Sequence, residues 1–234
     1  MAEANDEEPA QRSSVVRLAP LRDIVVHPAR AYGEILVNPG WLPAFVFVLL
    51  CALFDLWVST PAILHVALTA KAHHGSVRSA ANLTAARNNF LANSALFQVL
   101  QPLVAWSLTA MVASTVARFK RTTVPYRTFF ALAAVCSVPG ALGALLDGAV
   151  VGLHPAASYA SLKALAVAVP DTLAIFASPH NDREIVFLSS FGLFDLWSTV
   201  LLAYGLVSFA KLRITTGLGI AFGLDIVIAL LFGF

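Results

Sequence analysis

Asp55, Asp147, Asp195 and Asp225 each stand inside an otherwise apolar stretch, and no lysine or arginine lies in the interior of those stretches. A carboxylate is costly in hydrocarbon and is found where helices face one another or water. Such residues mark ion pathways, proton relays or polar contacts between helices. Gln98 and Gln101 lie in a fifth apolar stretch and add amides that both donate and accept. Three chemistries suit the set. The acids could hold a proton or cation. They could be a structural knot bonded to the glutamines, Lys163, Arg183 and helix ends. Two of them could act as an aspartyl protease dyad. The last is least supported, because Phe222-Gly223-Leu224-Asp225 lacks the first glycine of Gly-x-Gly-Asp. Asp195 and Asp225 also fall at different expected depths, whereas a dyad needs its carboxyls within hydrogen-bond reach.

No nucleophile elbow, phosphate loop, His-Glu-x-x-His or Cys-x-x-Cys is present, so the chain reads as non-enzymatic and without a cofactor. His73, His74 and His65 have no carboxylate or cysteine beside them, and a loop surface suits them better than a metal site. Cys51 and Cys136 both sit in apolar blocks and read as small buried hydrophobes. The net charge of +2, with no basic stripe interleaved with aromatics, excludes a nucleic-acid partner.

The elements that must position these groups follow from composition. The 234 residues are 59% hydrophobic and 12% charged, too few polar groups to cover a soluble fold of this size. The expected solvent is the lipid bilayer. Blocks long enough to cross it, about 20 residues each, lie at 41–64, 93–117, 127–153, 187–210 and 214–234, within a transmembrane domain 41–234. The expectation is an all-α membrane protein, a five-transmembrane-helix bundle. Residues 1–13 read as a disordered acidic tail, and 14–40 as a cytoplasmic interfacial segment with a short helix. That helix starts near Pro28, stops at Asn38-Pro39-Gly40, and puts Tyr32, Ile35 and Leu36 on one face. Ser137-Val138-Pro139-Gly140 predicts a kink in the third span. Asn181 and Glu184 have capping-box spacing ahead of the fourth. Pro155, Lys163, Pro170 and Asp171 interrupt residues 155–177, which suits a re-entrant or surface segment better than a sixth span.

With the N-terminus cytoplasmic and the C-terminus exterior, the cytoplasmic segments hold ten of the fifteen basic residues. Four of these, Arg118, Lys120, Arg121 and Arg127, lie in or beside one tight loop, as the positive-inside rule requires. The sequon Asn82-Leu83-Thr84 would then face out. Counted from the cytoplasmic end, Asp55, Asp147 and Asp195 reach the outer third and Asp225 lies nearer the middle. Each acid shares a helix face with small residues, which suits helix contact. Gly148-x-x-x-Gly152 and Gly219-x-x-x-Gly223 match the close-approach motif, serving contacts within one chain or between copies. Leu53-Phe54-Asp55-Leu56-Trp57 recurs as Leu193-Phe194-Asp195-Leu196-Trp197 in a span of opposite direction. The recurrence reads equally as an inverted repeat at similar depth or as chance in an apolar sequence.

Residues 187–212, with Phe194, Leu196-Trp197-Ser198, Leu201-Leu202-Ala203 and Gly205, resemble a segment of the Yip domain family (Ypt-interacting proteins). The lead-in from His27-Pro28 to Pro39-Gly40-Trp41 and the triplet Ser137-Val138-Pro139 are similar too. The resemblance implies five spans, a cytoplasmic N-terminus and a non-enzymatic scaffold or interaction role in membrane organisation or trafficking. Partners would be other membrane proteins or the chain itself. The Asp-Leu-Tyr-Gly-Pro motif and long cytoplasmic domain of eukaryotic members are missing, which argues against a GTPase partner and for the prokaryote-like branch at a plasma membrane. The alternative is a small proton- or ion-coupled transporter using an outer-leaflet acid cluster.

Overall fold

A computed structural model describes residues 18–72, 80–179 and 181–232. The tail 1–13, His73-His74 and the side chains of the Asn82 sequon lie outside the described residues. The helices are α1 (Ala19–Val26), α2 (Pro28–Val37), α3 (Leu42–Ala72), α4 (Ala80–Phe119), α5 (Tyr126–Cys136), α6 (Val138–Gly152), α7 (Leu162–Ala166), α8 (Asp182–Ser189), α9 (Leu193–Ala210) and α10 (Ile214–Phe232). Among the described residues five segments are long and apolar enough to cross a bilayer: Leu42–Thr69, Arg87–Phe119, Tyr126–Gly152, Leu193–Ala210 and Ile214–Phe232. Helices suit that solvent because they satisfy every backbone polar group internally. The chain is an all-α, five-span, multi-pass membrane protein.

Glycine contacts fix how the spans cross. A Cβ at Gly148 would meet Asp55, and one at Gly152 would meet Val58, so α3 and α6 run parallel. Gly140 faces Asp195 and Ser198 while Gly143 faces Phe194, so α6 and α9 are antiparallel. Gly217 lies against the Ala203 carbonyl, which brings α10 back beside α9 at backbone distance. One end of the bundle therefore gathers α1, α2 and the basic loops around Arg118–Arg127 and Lys211–Arg213. The other end holds residues 155–189 and the first turn of α9 with Asp195.

The third span is the enclosed one, with 61% of its apolar window buried against 17% for that of α4. Phe129, Leu132, Leu206 and Phe209 are buried at its contact with α9. The predicted kink is an interruption of the helical ladder between α5 and α6. Ser137 keeps helical dihedrals and the Ser137–Ala133 and Ala141–Ser137 bonds remain, while Pro139 brings no N–H to the ladder and the Ser137 hydroxyl donates to the Ala134 carbonyl.

The fourth block behaves differently from the expected helix over 187–210. Asn181 caps the N-terminus of α8 by accepting the Glu184 N–H, but that helix stops at Ser189. Extended Gly192 then starts α9 afresh. Residues 155–177 hold only short helical pieces, α7 among them, at the end opposite the basic loops.

The segment at 18–40 is a hairpin of α1 and α2 seated in the bundle. Ile24, Ala31, Tyr32 and Ile35 are buried, whereas Leu36, expected on the same face, is 45% exposed. The Tyr32 hydroxyl donates to the Leu201 carbonyl at 2.7 Å, and its ring meets Phe209 edge-on. Buried Asp23 anchors the turn, with Arg22 at 2.8 Å and Arg30 at 3.2 Å from its carboxylate. The Arg22 hydrogen bond holds the Asp23 carboxyl below its ordinary value of 3.8, and the charges of Arg22, Arg30 and His27 assist it against the opposing effect of burial. A depressed folded-state pKa stabilises docking above the unfolded value and is lost as pH falls through the lower folded value. Amide exchange over 19–37, corrected for intrinsic rate, is therefore expected to stay slow at neutral pH and to quicken only below about pH 3.8. Asp23→Asn is expected to exchange faster at pH 7 and to lose that acid step. An unchanged acid step in the variant would contradict the assignment.

Candidate functional site in the helix bundle

The six polar residues singled out in the spans form two neighbouring groups, joined where Asp147 and Asp171 come within electrostatic reach of Asp195. Asp55 and Asp147 belong to the α3–α6 contact. The Ser59 hydroxyl donates to Asp55 at 2.8 Å, one turn along α3. One oxygen of Asp147 is buried without a hydrogen-bond partner. Asp171, which the sequence offered only as an interruption, stands near this group. Its backbone carbonyl accepts the Leu193 N–H, and Thr172 pairs with Gly192 in an isolated bridge that pins the start of α9. Burial raises the Asp171 carboxyl above its ordinary range, its own backbone hydrogen bond opposing.

Asp195, Asp225, Gln98 and Gln101 are brought together instead on the wall of a cavity of about 500 Å³ among α4, α6, α9 and α10. Asp195 sits in the first turn of α9, where its carboxylate accepts the Gly192 N–H at 3.2 Å and caps the helix. Glycine at 140 allows close approach, since a Cβ there would stand 3.0 Å from the Asp195 carboxylate and crowd it. The Gly140 N–H donates to the Ser198 hydroxyl at 3.0 Å. The Thr199 hydroxyl lies within hydrogen-bond reach of both the Asp195 carbonyl and the Asp225 carboxylate, with one proton to donate between them. Asp195 and Asp225 thus flank one threonine, with Asp225 level with Thr199 and Asp195 one turn of α9 further out, the offset that counting from the cytoplasmic end gives.

The repeated pentapeptides lie on opposite sides of α6. Asp55 meets it at Gly148 and Asp195 at Gly140. Eight residues separate those glycines, about 12 Å of helical rise, so the repeats occupy different levels. Among the described residues the ion pairs join only Arg22 and Arg30 to Asp23 and Glu34, and none reaches the four membrane acids. Lys163 donates to the Ala177 carbonyl instead. No group of three or more metal-ligating side chains occurs among the described residues. Cys51 and Cys136 are free and buried.

Chemically, this arrangement offers two carboxylates with one identified donor each, two amides and several hydroxyls around a recess with aromatic and aliphatic walls. Of the glycine pairs, Gly148 and Gly152 are used inside the chain, while Gly219 and Gly223 have nothing within 4 Å. Comparison with protein-family models, curated proteins and solved structures finds no match to this chain.

Proposed function

We propose that the chain is a non-enzymatic membrane protein of the Yip type, prokaryote-like branch, with a scaffold or interaction role toward other membrane proteins or itself. One observation carries this reading: the three stretches that carry the resemblance pack on one another. Tyr32 of the lead-in bonds Leu201 in the fourth span, and Gly140, next to Ser137-Val138-Pro139, bonds Ser198 in that span. These contacts join residues 58 and 169 positions apart, so the resemblance traces one packed unit. The N-terminus and basic loops face the cytoplasm in this reading, and the opposite end faces out. Affinity capture from native membranes tests it. The expected set is dominated by integral membrane proteins and is depleted by Ile35→Asp, which unseats the hairpin. A set unaffected by unseating, or made up of soluble enzymes, would overturn it.

A second reading, a proton- or ion-coupled transporter, is favoured by the cavity. It sets Asp195 and Asp225 on an open recess on whose wall no lysine or arginine stands among the described residues.

A further inference from the structure

We propose that the cavity among α4, α6, α9 and α10 binds an organic ammonium ion carrying an apolar or aromatic body. The inference rests on the cation-site half of the second reading and names its ligand class.

Charge comes first. Asp195 and Asp225 both line the cavity, and among the described residues no lysine, arginine or histidine does. An ionised carboxylate accepts at about four lone-pair sites. Here Asp195 takes one backbone N–H and Asp225 one hydroxyl, which leaves acceptor capacity for a donor inside the recess. Gln98, Gln101 and the Ser198 hydroxyl add neutral acceptors on the same walls.

Shape and wall chemistry decide which cation. A metal ion needs several hard ligands converging on one point; among the described residues no three of His, Cys, Asp and Glu gather, and the recess sets only neutral side chains beside its two carboxylates. The recess measures about 500 Å³, within the range of small-molecule sites, which are mostly apolar with a few placed polar groups. Trp106 lies on the lining and is held edge-to-face by Phe45 at 6.0 Å and Phe130 at 5.9 Å. Leu202, Ile228 and Phe232 supply further apolar wall. A bare inorganic cation would leave that wall unmatched. An ammonium on a hydrocarbon or aryl group satisfies both parts.

The test titrates phenethylammonium, its neutral isostere phenethyl alcohol, and sodium or potassium alone into the full chain in detergent, following melting temperature and calorimetric heat. Phenethylammonium is expected to bind saturably and to weaken about ten-fold or more in Asp195→Asn and Asp225→Asn, which keep shape and hydrogen-bonding capacity while losing charge. Ala105→Phe, which fills the recess without touching an acid, is expected to abolish binding in protein that still folds. The alcohol is expected not to bind. Alcohol binding equal to that of the ammonium would reduce the recess to apolar partition and overturn the proposal. Stabilisation by sodium or potassium through the same acids, without ammonium binding, would overturn it while leaving the cation-site reading standing. Indifference to every cation would sink both.

Discussion

Gly148→Leu is expected to force α3 and α6 apart, costing about 1–3 kcal/mol or more and lowering the melting temperature in detergent. Gly219→Leu is expected to leave that temperature unchanged. A single Cβ at Gly148 would lie 2.8 Å from the Asp55 Cα, and backbone cannot step aside as a side chain can. At Gly152 the nearest atom is a Val58 methyl, so Gly152→Ala is expected to be milder than Gly148→Ala. Gly219 has nothing within 4 Å and is exposed, so a leucine there meets only the surroundings of the bundle. Small residues let membrane helices approach where hydrocarbon offers no hydrophobic drive to associate. The contrast between two motifs of identical spacing isolates packing from composition. Equal melting temperatures for the two leucine variants would contradict the α3–α6 contact.

The second large effect is all-or-none. A reporter active only in the cytoplasm, fused after Arg121, is expected to be active, and the same reporter fused after Pro155 to be silent. Arg118, Lys120, Arg121 and Arg127 flank the short α4–α5 connection, and Lys211 and Arg213 flank the α9–α10 connection at the same end. Such short basic connections set orientation. The opposite pattern would place the acid-lined recess on the cytoplasmic side and invert the proposed orientation.

These cases show what was legible in the sequence and what was not. The spans follow from block length because a bilayer demands about 20 apolar residues, whatever their partners. The interruption at Ser137–Pro139 follows from local chain chemistry. The start of α9 does not follow from hydropathy, because residues 187–210 have the overall apolar character of one span although Ser189, Ser190 and Gly192 stand at the break. The break there is shaped by Gly192 pairing with Thr172, a contact made through the fold. The docking of the hairpin was hidden for the same reason: Tyr32 finds its acceptor 169 residues away. Hydropathy identified the four acids as unusual but could not sort them. Which acids meet α6 and which line the recess depends on how the helices cross, with Asp195 doing both, and Asp171 joined the group only through the path of its loop.

The central claim, a non-enzymatic scaffold and not a transporter, is tested most directly by uptake into liposomes containing the pure, oriented protein. Sodium, potassium and proton gradients are imposed in turn, alongside the Asp195→Asn variant. No flux above that of protein-free liposomes is expected under any gradient. Saturable uptake that disappears in Asp195→Asn would contradict it.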